Sequence, residues 1–537
     1  MDNHISSARK LLVSLYLWVL LGFGLRILRI FYQVVMFRDE TTYAYQIKHI
    51  LNGTIFQDST YFTFPPAYAL LAAPLALVTG NPEISGRIIS CLAGAATVIP
   101  AYYLARDLFG QRAATITAVL TALFPPLLST AVMSEPTYCF LVTLSIYLAN
   151  RAYNSGRGRD YFLFGLAMAG CYLARPEGFF IFCTCLFLMA AILAWDRTGV
   201  KKTLALTGIA FAGFFLLAFP YMVQLKAHFG GWEISGKTPI NLAKVKAVET
   251  WKPGEDLEKH ESDVYGQYDK KKKDLGGSFL TELPAIARRY PHNLRIEVES
   301  FDKVAGYPLL LFCALGLGFA AARQGSLKTL LIPLGTFVPL LVIPAVFVLQ
   351  RVLVPYLPVL MIPAGYGVVR SADYLVGLVA RGQSGVFASG VSAAFTALLF
   401  IGNFNAILPE TNVNKVLNSD PNYKYYYTLR VLAGNVRGHI PPGSRIITRN
   451  NMFAYYAGGE YLPVPTDDIE GLMKYTRQNG ARYFFYGPME QDLRPQYYMV
   501  FFKNGFPVDD PLNDGKIRLV YSWEDFLLYE FSGQENT

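Results

Sequence analysis

The sequence predicts a polytopic α-helical membrane protein with a separate C-terminal α/β domain, and three observations carry that prediction. Apolar runs of about 18–25 residues recur as far as Phe404, each long enough to cross a hydrocarbon core of roughly 30 Å. The 537-residue chain is 53% hydrophobic and only 16% charged, outside the range of ordinary soluble domains. Beyond Asn405 the long apolar runs stop, and short strand-like and helix-like segments alternate, as in a small α/β fold. The net charge of +9 does not argue for nucleic acid. The Lys and Arg residues gather between apolar runs, the habit of cytoplasmic loops.

The first apolar segment, Leu11 to about Phe37, follows Arg9-Lys10 and has no small-residue cleavage site. It reads as a retained helix with the N-terminus in the cytoplasm. Arg26 and Arg29, in its outer half, either snorkel to the interface or meet a lipid phosphate. Asp39 and Glu40 come next, outside. Tyr43, Ile47, Ile50 and Leu51 then recur at helical spacing, which predicts an amphipathic helix on the bilayer surface, ended by Asn52-Gly53. Phe62–Pro66 with Ala67–Val78 predicts a second such element, stopped near Gly80-Asn81-Pro82.

Further spans are expected at Ile84–Ala105, Ala113–Thr130, Glu135–Asn150, Tyr161–Ala174, Phe179–Trp195, Leu204–Leu225, Ala305–Ala322, Leu327–Leu349, Val352–Val369 and Val386–Phe404. With the first helix they make about eleven. Tyr161–Ala174 is short and extends at one end or the other. Arg106 and Arg112, then Arg151, Arg157 and Arg159, then Arg197, Lys201 and Lys202, then Arg323 and Lys328, then Arg370 and Arg381 fall in alternate connections. Those connections are cytoplasmic by the positive-inside rule. The others face outward and hold Asp39, Glu135, Arg175, Glu177 and Arg351, which brings residues from distant parts of the chain to one membrane face. The six cysteines lie within apolar runs and imply no disulfide framework.

This divides the chain into a transmembrane part, 1–404, with outer loops 38–83 and 226–304, and an extracytoplasmic domain, 405–537. Within the second loop, Lys270–Lys273 reads as a solvated face, and the stretch from Pro284–Arg289 onward as a helix returning to the bilayer. In the outer domain, strands are expected at Arg445–Thr448, Arg482–Tyr486, Leu519–Trp523 and Phe526–Phe531, and a helix at Ile469–Gln478. No phosphate-binding glycine motif occurs there, and Gly458-Gly459 is a turn signal.

Adjacent carboxylates at the rim of a membrane helix are costly and point to function. Glycosyl transfer from a phosphate donor needs a carboxylate to take the acceptor proton and cations to hold the departing phosphate. Asp39 with Glu40 supplies the first, and Arg175, Arg351, Arg38 or Lys237 the second. A divalent cation of unknown identity, held by Asp39 and Glu135, would serve as well. Each residue also has a structural reading. Asp39 would cap the surface helix, Glu135 would start a helix after Ser134, Arg175 and Glu177 would pair and cap two helices, and Arg351 would anchor at the interface.

Asp39-Glu40-x-x-Tyr43, with Gly53 ten residues on, resembles the first outer loop of the GT-C fold glycosyltransferases. The resemblance is to the branch of protein O-mannosyltransferases and the lipid A aminoarabinose transferase. Phe64-Pro65-Pro66-Ala67-Tyr68, Ser134-Glu135-Pro136, Ala174-Arg175-Pro176-Glu177-Gly178 and Arg351-Val-Leu-Val-Pro355-Tyr-Leu-Pro358 are further strings similar to that branch, in the same order. The resemblance spans roughly residues 10–370. It implies a polyprenyl-phosphate-linked sugar donor, transfer outside the membrane, and the first acidic residue at the reaction centre. Asp39 and Glu40 then become catalytic candidates, with Arg38, Tyr43, Arg175, Glu177, Lys237 and Arg351 as substrate-binding candidates. The aminoarabinose transferase carries a lysine before its Pro-Pro pair, where this chain has Phe64, so phosphate binding has to come from elsewhere.

The function expected is inverting transfer of a hexosyl or pentosyl group to a lipid, polysaccharide or protein acceptor on the outer face of the bacterial cytoplasmic membrane. A transporter or flippase of lipid-linked saccharides is the alternative. Transporters tend to carry internal repeats and mid-membrane polar residues, whereas the charges here gather at one rim. An inactive scaffold whose outer domain binds a partner is the third reading.

Overall fold

A computed structural model describes residues 2–55, 62–237, 283–322, 327–345, 348–379, 385–400, 406–465 and 468–532. The Lys270–Lys273 run lies outside the described residues. The chain forms two compact units. One comprises the described residues of Met1–Tyr32, Gln46–Thr238 and Ile286–Glu410; the other joins Gln33–Tyr45 to the described residues of Pro239–Ala285 and of Thr411 onward.

The first unit is helical. Its first helix, Asp2–Ile30, ends before the expected Phe37, and residues 33–37 have no regular secondary structure. Arg26 does not snorkel: it is fully buried and donates to the carbonyls of Gly22 and Leu127, 2.8 Å each. Gly94 makes room for it, since a Cβ there would stand 2.6 Å from Arg26 Nε. Arg29 donates to the carbonyls of Ala406 and Ile407. Ala67–Thr79 is helical and closes on Gly80 at φ 65°. The span expected at Ile84–Ala105 is two helices, Pro82–Ala96 and Val98–Phe109, long enough together to cross a membrane. The short span expected from Tyr161 starts earlier, at Gly158.

Two more departures have a cause in the sequence. The span expected at Leu327–Leu349 breaks after Gly335 into short 3-10 turns at Val338–Leu341 and Ile343–Ala345. Pro333, Pro339 and Pro344 remove the backbone donors a continuous helix needs. The helix expected from Pro284 runs from Leu283 to Ala305 and meets Tyr307–Ala322 at 96°, with Gly306 between them at φ 75°. Among the described residues four helices are long and apolar enough to cross a membrane, or five if that bent pair is one span. Helix length alone therefore does not reach eleven.

Close packing rests on small residues. A Cβ on Gly165 would lie 2.0 Å from Ala210 O, and one on Gly213 2.5 Å from Phe162 O, so Gly158–Ala174 and Val200–Phe229 touch backbone to backbone. Gly316 and Gly367 join Tyr307–Ala322 to Leu357–Val379 in the same way, at 1.9 Å from Pro363 O and 2.0 Å from Phe312 O. Small residues give membrane helices this close approach, where dispersion replaces the missing hydrophobic drive.

The second unit is built on a five-stranded sheet: β1 (Arg445–Ile447), β2 (Glu460–Leu462), β3 (Ala481–Tyr486), β6 (Ile517–Trp523) and β7 (Phe526–Phe531), in the order β2-β1-β3-β7-β6. β1 runs parallel to β2 and β3, while β7 is antiparallel to β3 and β6. β4 (Phe502–Lys503) and β5 (Phe506–Pro507) form a separate hairpin. Alternate residues serve two cores. Ile446, Tyr483, Phe485 and Leu528 pack with Leu429, Leu432 and Phe453, while Ile447, Phe484, Tyr486 and Tyr529 pack with Leu472, Tyr497 and Phe501. The helix Ile469–Asn479 begins at Asp468, whose side chain accepts from Gly471 N. Glu490, fully buried, accepts from Thr448 Oγ1, Arg449 N and Gly487 N at 2.7–3.0 Å. Burial still pushes its carboxyl up.

Candidate functional site

In the helical unit, four of the expected residues come together. Glu135 opens the helix Glu135–Ser155, where a carboxylate suits the exposed N–H groups. Arg175 ends the helix Gly158–Ala174 in an extended conformation, φ −153° and ψ 139°. Pro176 then turns the chain into the helix Glu177–Trp195. Gly178 is what lets that second helix lie so close. A Cβ there would stand 2.5 Å from Cys171 C and Tyr172 N. The string Arg-Pro-Glu-Gly thus works as one local device for placing its Arg and Glu.

The guanidinium of Arg175 bridges two carboxylates: Nη1 donates to Glu135 Oε1 at 2.8 Å and Nη2 to Glu177 Oε1 at 3.0 Å. These side chains are only 11%, 11% and 22% exposed, so the pairing outweighs a surface ion pair. Arg175 also lies over the ring of Tyr138, 5.9 Å from its centroid. Arg351 approaches Glu135 Oε1 at 3.9 Å, with its Nη1 3.7 Å from Met133 Sδ. Its side chain is 43% exposed. Lys237 lies 4.1 Å above the Phe64 ring, within electrostatic reach of Glu177. Phe64 is therefore the platform for a lysine.

Sequence reasoning missed three buried residues. Tyr138 sits one turn inside the Glu135 helix, and Tyr356 follows the Arg351 string by five residues; both are buried. Their phenols act on each other, and neither hydroxyl reaches ordinary hydrogen-bond geometry among the described residues. Glu297, from the helix Leu283–Ala305, is also buried. Tyr356 lies in the Arg351 string and Tyr138 in the span expected from Glu135, yet aromatic residues in apolar runs read as core. A small cavity of about 20 Å³ beside Glu135 is lined by Arg26, Thr97, Ser129 and Cys139, enough for one water.

The acidic string belongs to the other unit up to Tyr45. The helix starts at Arg38 and runs to Leu51, so Asp39 and Glu40 fall in its first turn and Asp39 is not its cap. Glu40 is buried, and its Oε1 accepts from Phe37 N at 3.2 Å, the return half of a capping box. Asp39 is half-buried and Arg38 exposed; Tyr43 is buried. Asn451 Nδ2 donates to Arg38 O at 2.9 Å and Thr42 Oγ1 at 3.1 Å, and Tyr45 OH to Gly459 O at 3.0 Å. Phe37 packs edge-on against Tyr423 and Tyr426, with centroids 5.0 and 5.2 Å apart. Burial first, then the charges of Glu40 and Asp420, push the Tyr423 phenol up. Of the expected metal pair, Asp39 lies in this unit, and Glu135, in the helical unit, pairs with the Arg175 guanidinium. Among the described residues no three His, Cys, Asp or Glu side chains are grouped to hold an ion.

Residues 63–223 match the family model of dolichyl-phosphate-mannose-protein mannosyltransferases, a stretch that contains Glu135, Arg175 and Glu177. No curated protein matches the chain by sequence. Among solved structures, the apo oligosaccharyltransferase of Archaeoglobus fulgidus is similar with a TM-score of 0.59 at 16% identity, over 97% of this chain and 74% of that one. The archaeal oligosaccharyltransferase AglB from the same organism, in complex with an inhibitory peptide and a dolichol-phosphate, is similar at 0.56 and 15%, over 99% and 75%. ArnT from Cupriavidus metallidurans, bound to undecaprenyl phosphate, is similar at 0.56 and 13%, over 96% and 97%. A further structure of the Archaeoglobus protein was solved with zinc and sulfate. The chain thus shares the fold of these proteins, the GT-C fold that its motifs implied.

Proposed function

We propose that this protein transfers a sugar from a polyprenyl-phosphate carrier to an acceptor hydroxyl or amine, with inversion at the anomeric carbon. The observation that carries the reading is the buried clamp Glu135–Arg175–Glu177, inside the stretch that matches a lipid-phosphate-sugar family. Arg175 is occupied by two carboxylates, so its role is to hold them. The cations assigned to the phosphate are Arg351, which is exposed, and Lys237 on its aromatic platform. Both are suited to a dianionic headgroup, Arg as a fork and Lys as a point charge. Asp39 is assigned as base from its chemistry and its place in the string; Glu40 serves as its structural neighbour. The acceptor gives its proton to Asp39 and attacks the anomeric carbon. The bond to the phosphate oxygen breaks on the opposite face, and the polyprenyl phosphate leaves with the electron pair.

In this reading the chain crosses the bacterial cytoplasmic membrane about eleven times, with its N-terminus inside and residues from 405 onward outside, as the alternation of basic loops argues. The acceptor is a lipid, a polysaccharide or a protein. The phosphate assignment is tested by native mass spectrometry of the protein in nanodiscs with undecaprenyl phosphate. Lys237→Ala and Arg351→Ala should each weaken binding about tenfold, the effect of roughly 1.4 kcal/mol. Unchanged affinity in both variants would contradict it.

A further inference from the structure

A second buried cation lies beside the clamp. Arg26, on the first helix Asp2–Ile30, is fully buried, and a charge inside a membrane span is costly and points to a partner. Its Nη1 and Nη2 donate to the carbonyls of Gly22 and Leu127 at 2.8 Å each. Both acceptors are neutral, so they solvate the charge without cancelling it. The third guanidinium nitrogen, Nε, is buried with no hydrogen-bond partner among the described residues. Glu135 presents the matching case. Its Oε1 accepts from Arg175, and its Oε2 is buried with no hydrogen-bond partner among the described residues. One donor and one acceptor are left over, and both residues line the same cavity of about 20 Å³. Gly94 places the Arg26 side of it: Gly94 lines the cavity, and a Cβ there would stand 2.6 Å from Nε.

The size and lining of the cavity decide what fits. It has room for one water. A cation there would be repelled by the guanidinium and an anion by the carboxylate. Water accepts from Nε and donates to Oε2, and the hydroxyls of Thr97 and Ser129, which also line the cavity, can supply its remaining bonds. We infer that one buried water joins Arg26 Nε to Glu135 Oε2 and makes Arg26 the second cation of the clamp. The charges then balance. Two carboxylates, Glu135 and Glu177, share the single guanidinium of Arg175, and Arg26 supplies the second positive charge. This balance bears on the lipid. Arg351 Nε stands 3.9 Å from Glu135 Oε1, so with Arg26 gone it replaces the lost charge at the expense of the phosphate assigned to it. Arg26 is therefore a positioning residue and touches no reacting atom. The effect on the lipid rests on the proposed function, whereas the water link does not.

A double-mutant cycle tests the link. Arg26→Met and Glu135→Gln should each lower the unfolding temperature in nanodiscs. Together they should lower it by less than the sum, because neither then leaves the other's charge unbalanced. An Arg26 held only by its two carbonyls predicts additive losses, and additivity overturns the inference. If Arg26→Met alone does not fold, rescue of folding by Glu135→Gln supports the link and failure to rescue overturns it. Native mass spectrometry with undecaprenyl phosphate gives a readout that a structural role would not move. Arg26→Met should weaken binding about tenfold, and adding Glu135→Gln should recover most of the loss. Arg26→Lys keeps the charge but cannot span both carbonyls, and should bind within about threefold of wild type. Normal binding by Arg26→Met, or binding by Arg26→Lys as weak as that of Arg26→Met, overturns the positioning role. A high-resolution density map should show one peak in the cavity at hydrogen-bond distance from both Nε and Oε2. No peak, or one ligated as a metal or a halide, overturns the water. If wild type binds no undecaprenyl phosphate, the proposed function falls, and the temperature cycle and the map still decide the link.

Discussion

At the scale of single residues, the clamp and the acidic string make opposite demands on a mutation. Asp39→Asn keeps size and most hydrogen bonding, so the fold should persist. A lost general base should still lower turnover by about 10²–10⁴-fold. Near-normal turnover at normal protein levels would remove Asp39 from catalysis. Arg175→Met does the reverse: it leaves Glu135 and Glu177 facing each other with little water. Removing one partner of a buried ion pair costs about 3–5 kcal/mol, read as a lowered unfolding temperature in nanodiscs. Arg175→Lys should recover only part of it, since an ammonium cannot span both carboxylates as the guanidinium does. These roles were unevenly legible in the sequence. Arg175, Glu177 and Glu135 stood out because charges are rare in apolar runs. Glu297 did not, because its helix carries other charges and only burial distinguishes it from Glu299, which makes an exposed pair with Arg295 at 2.9 Å. Glu40 reads in the sequence as a second catalytic carboxylate, and its bond to Phe37 N, which the sequence does not announce, gives it a structural task as well.

At the scale of elements, the glycines carry the placement of the site. Gly178→Ala would push the helix Glu177–Trp195 away from the end of Gly158–Ala174 and carry Glu177 with it. Overpacking of this kind costs about 1–3 kcal/mol, and the same variant should lose activity beyond its loss of folded protein. Gly213→Leu and Gly367→Leu, at backbone contacts between helices, should prevent stable extraction in detergent. A monodisperse, full-yield preparation of either would contradict the packing described here. Helix ends marked by Gly53 and Gly80 were legible, and both sit at positive φ. The broken segment after Gly335 was not, because hydropathy counts its prolines as tolerable while the backbone does not. β2 was missed because three residues, Glu460–Leu462, show no period. Its strand identity comes from pairing with β1.

At the scale of the whole molecule, the alternation of basic loops predicts sidedness. A reporter active only outside the cytoplasm should work after Asn405 and fail within Gly156–Arg159, and the inverse would put the proposed site on the wrong face. The broad plan was legible because hydropathy and charge record the membrane directly. That Gln33–Tyr45 packs with residues from Thr411 onward was not, because neither stretch has a motif that names its partner. The central claim is that this chain handles a lipid-linked sugar, and the lipids it carries test this most directly. Protein purified from its native membrane, extracted and read by mass spectrometry, should yield a polyprenyl phosphate or its sugar-linked form at near one per protein, and much less from an Arg351→Ala, Lys237→Ala double variant. Ordinary phospholipids alone, in equal amounts from both proteins, would contradict the account.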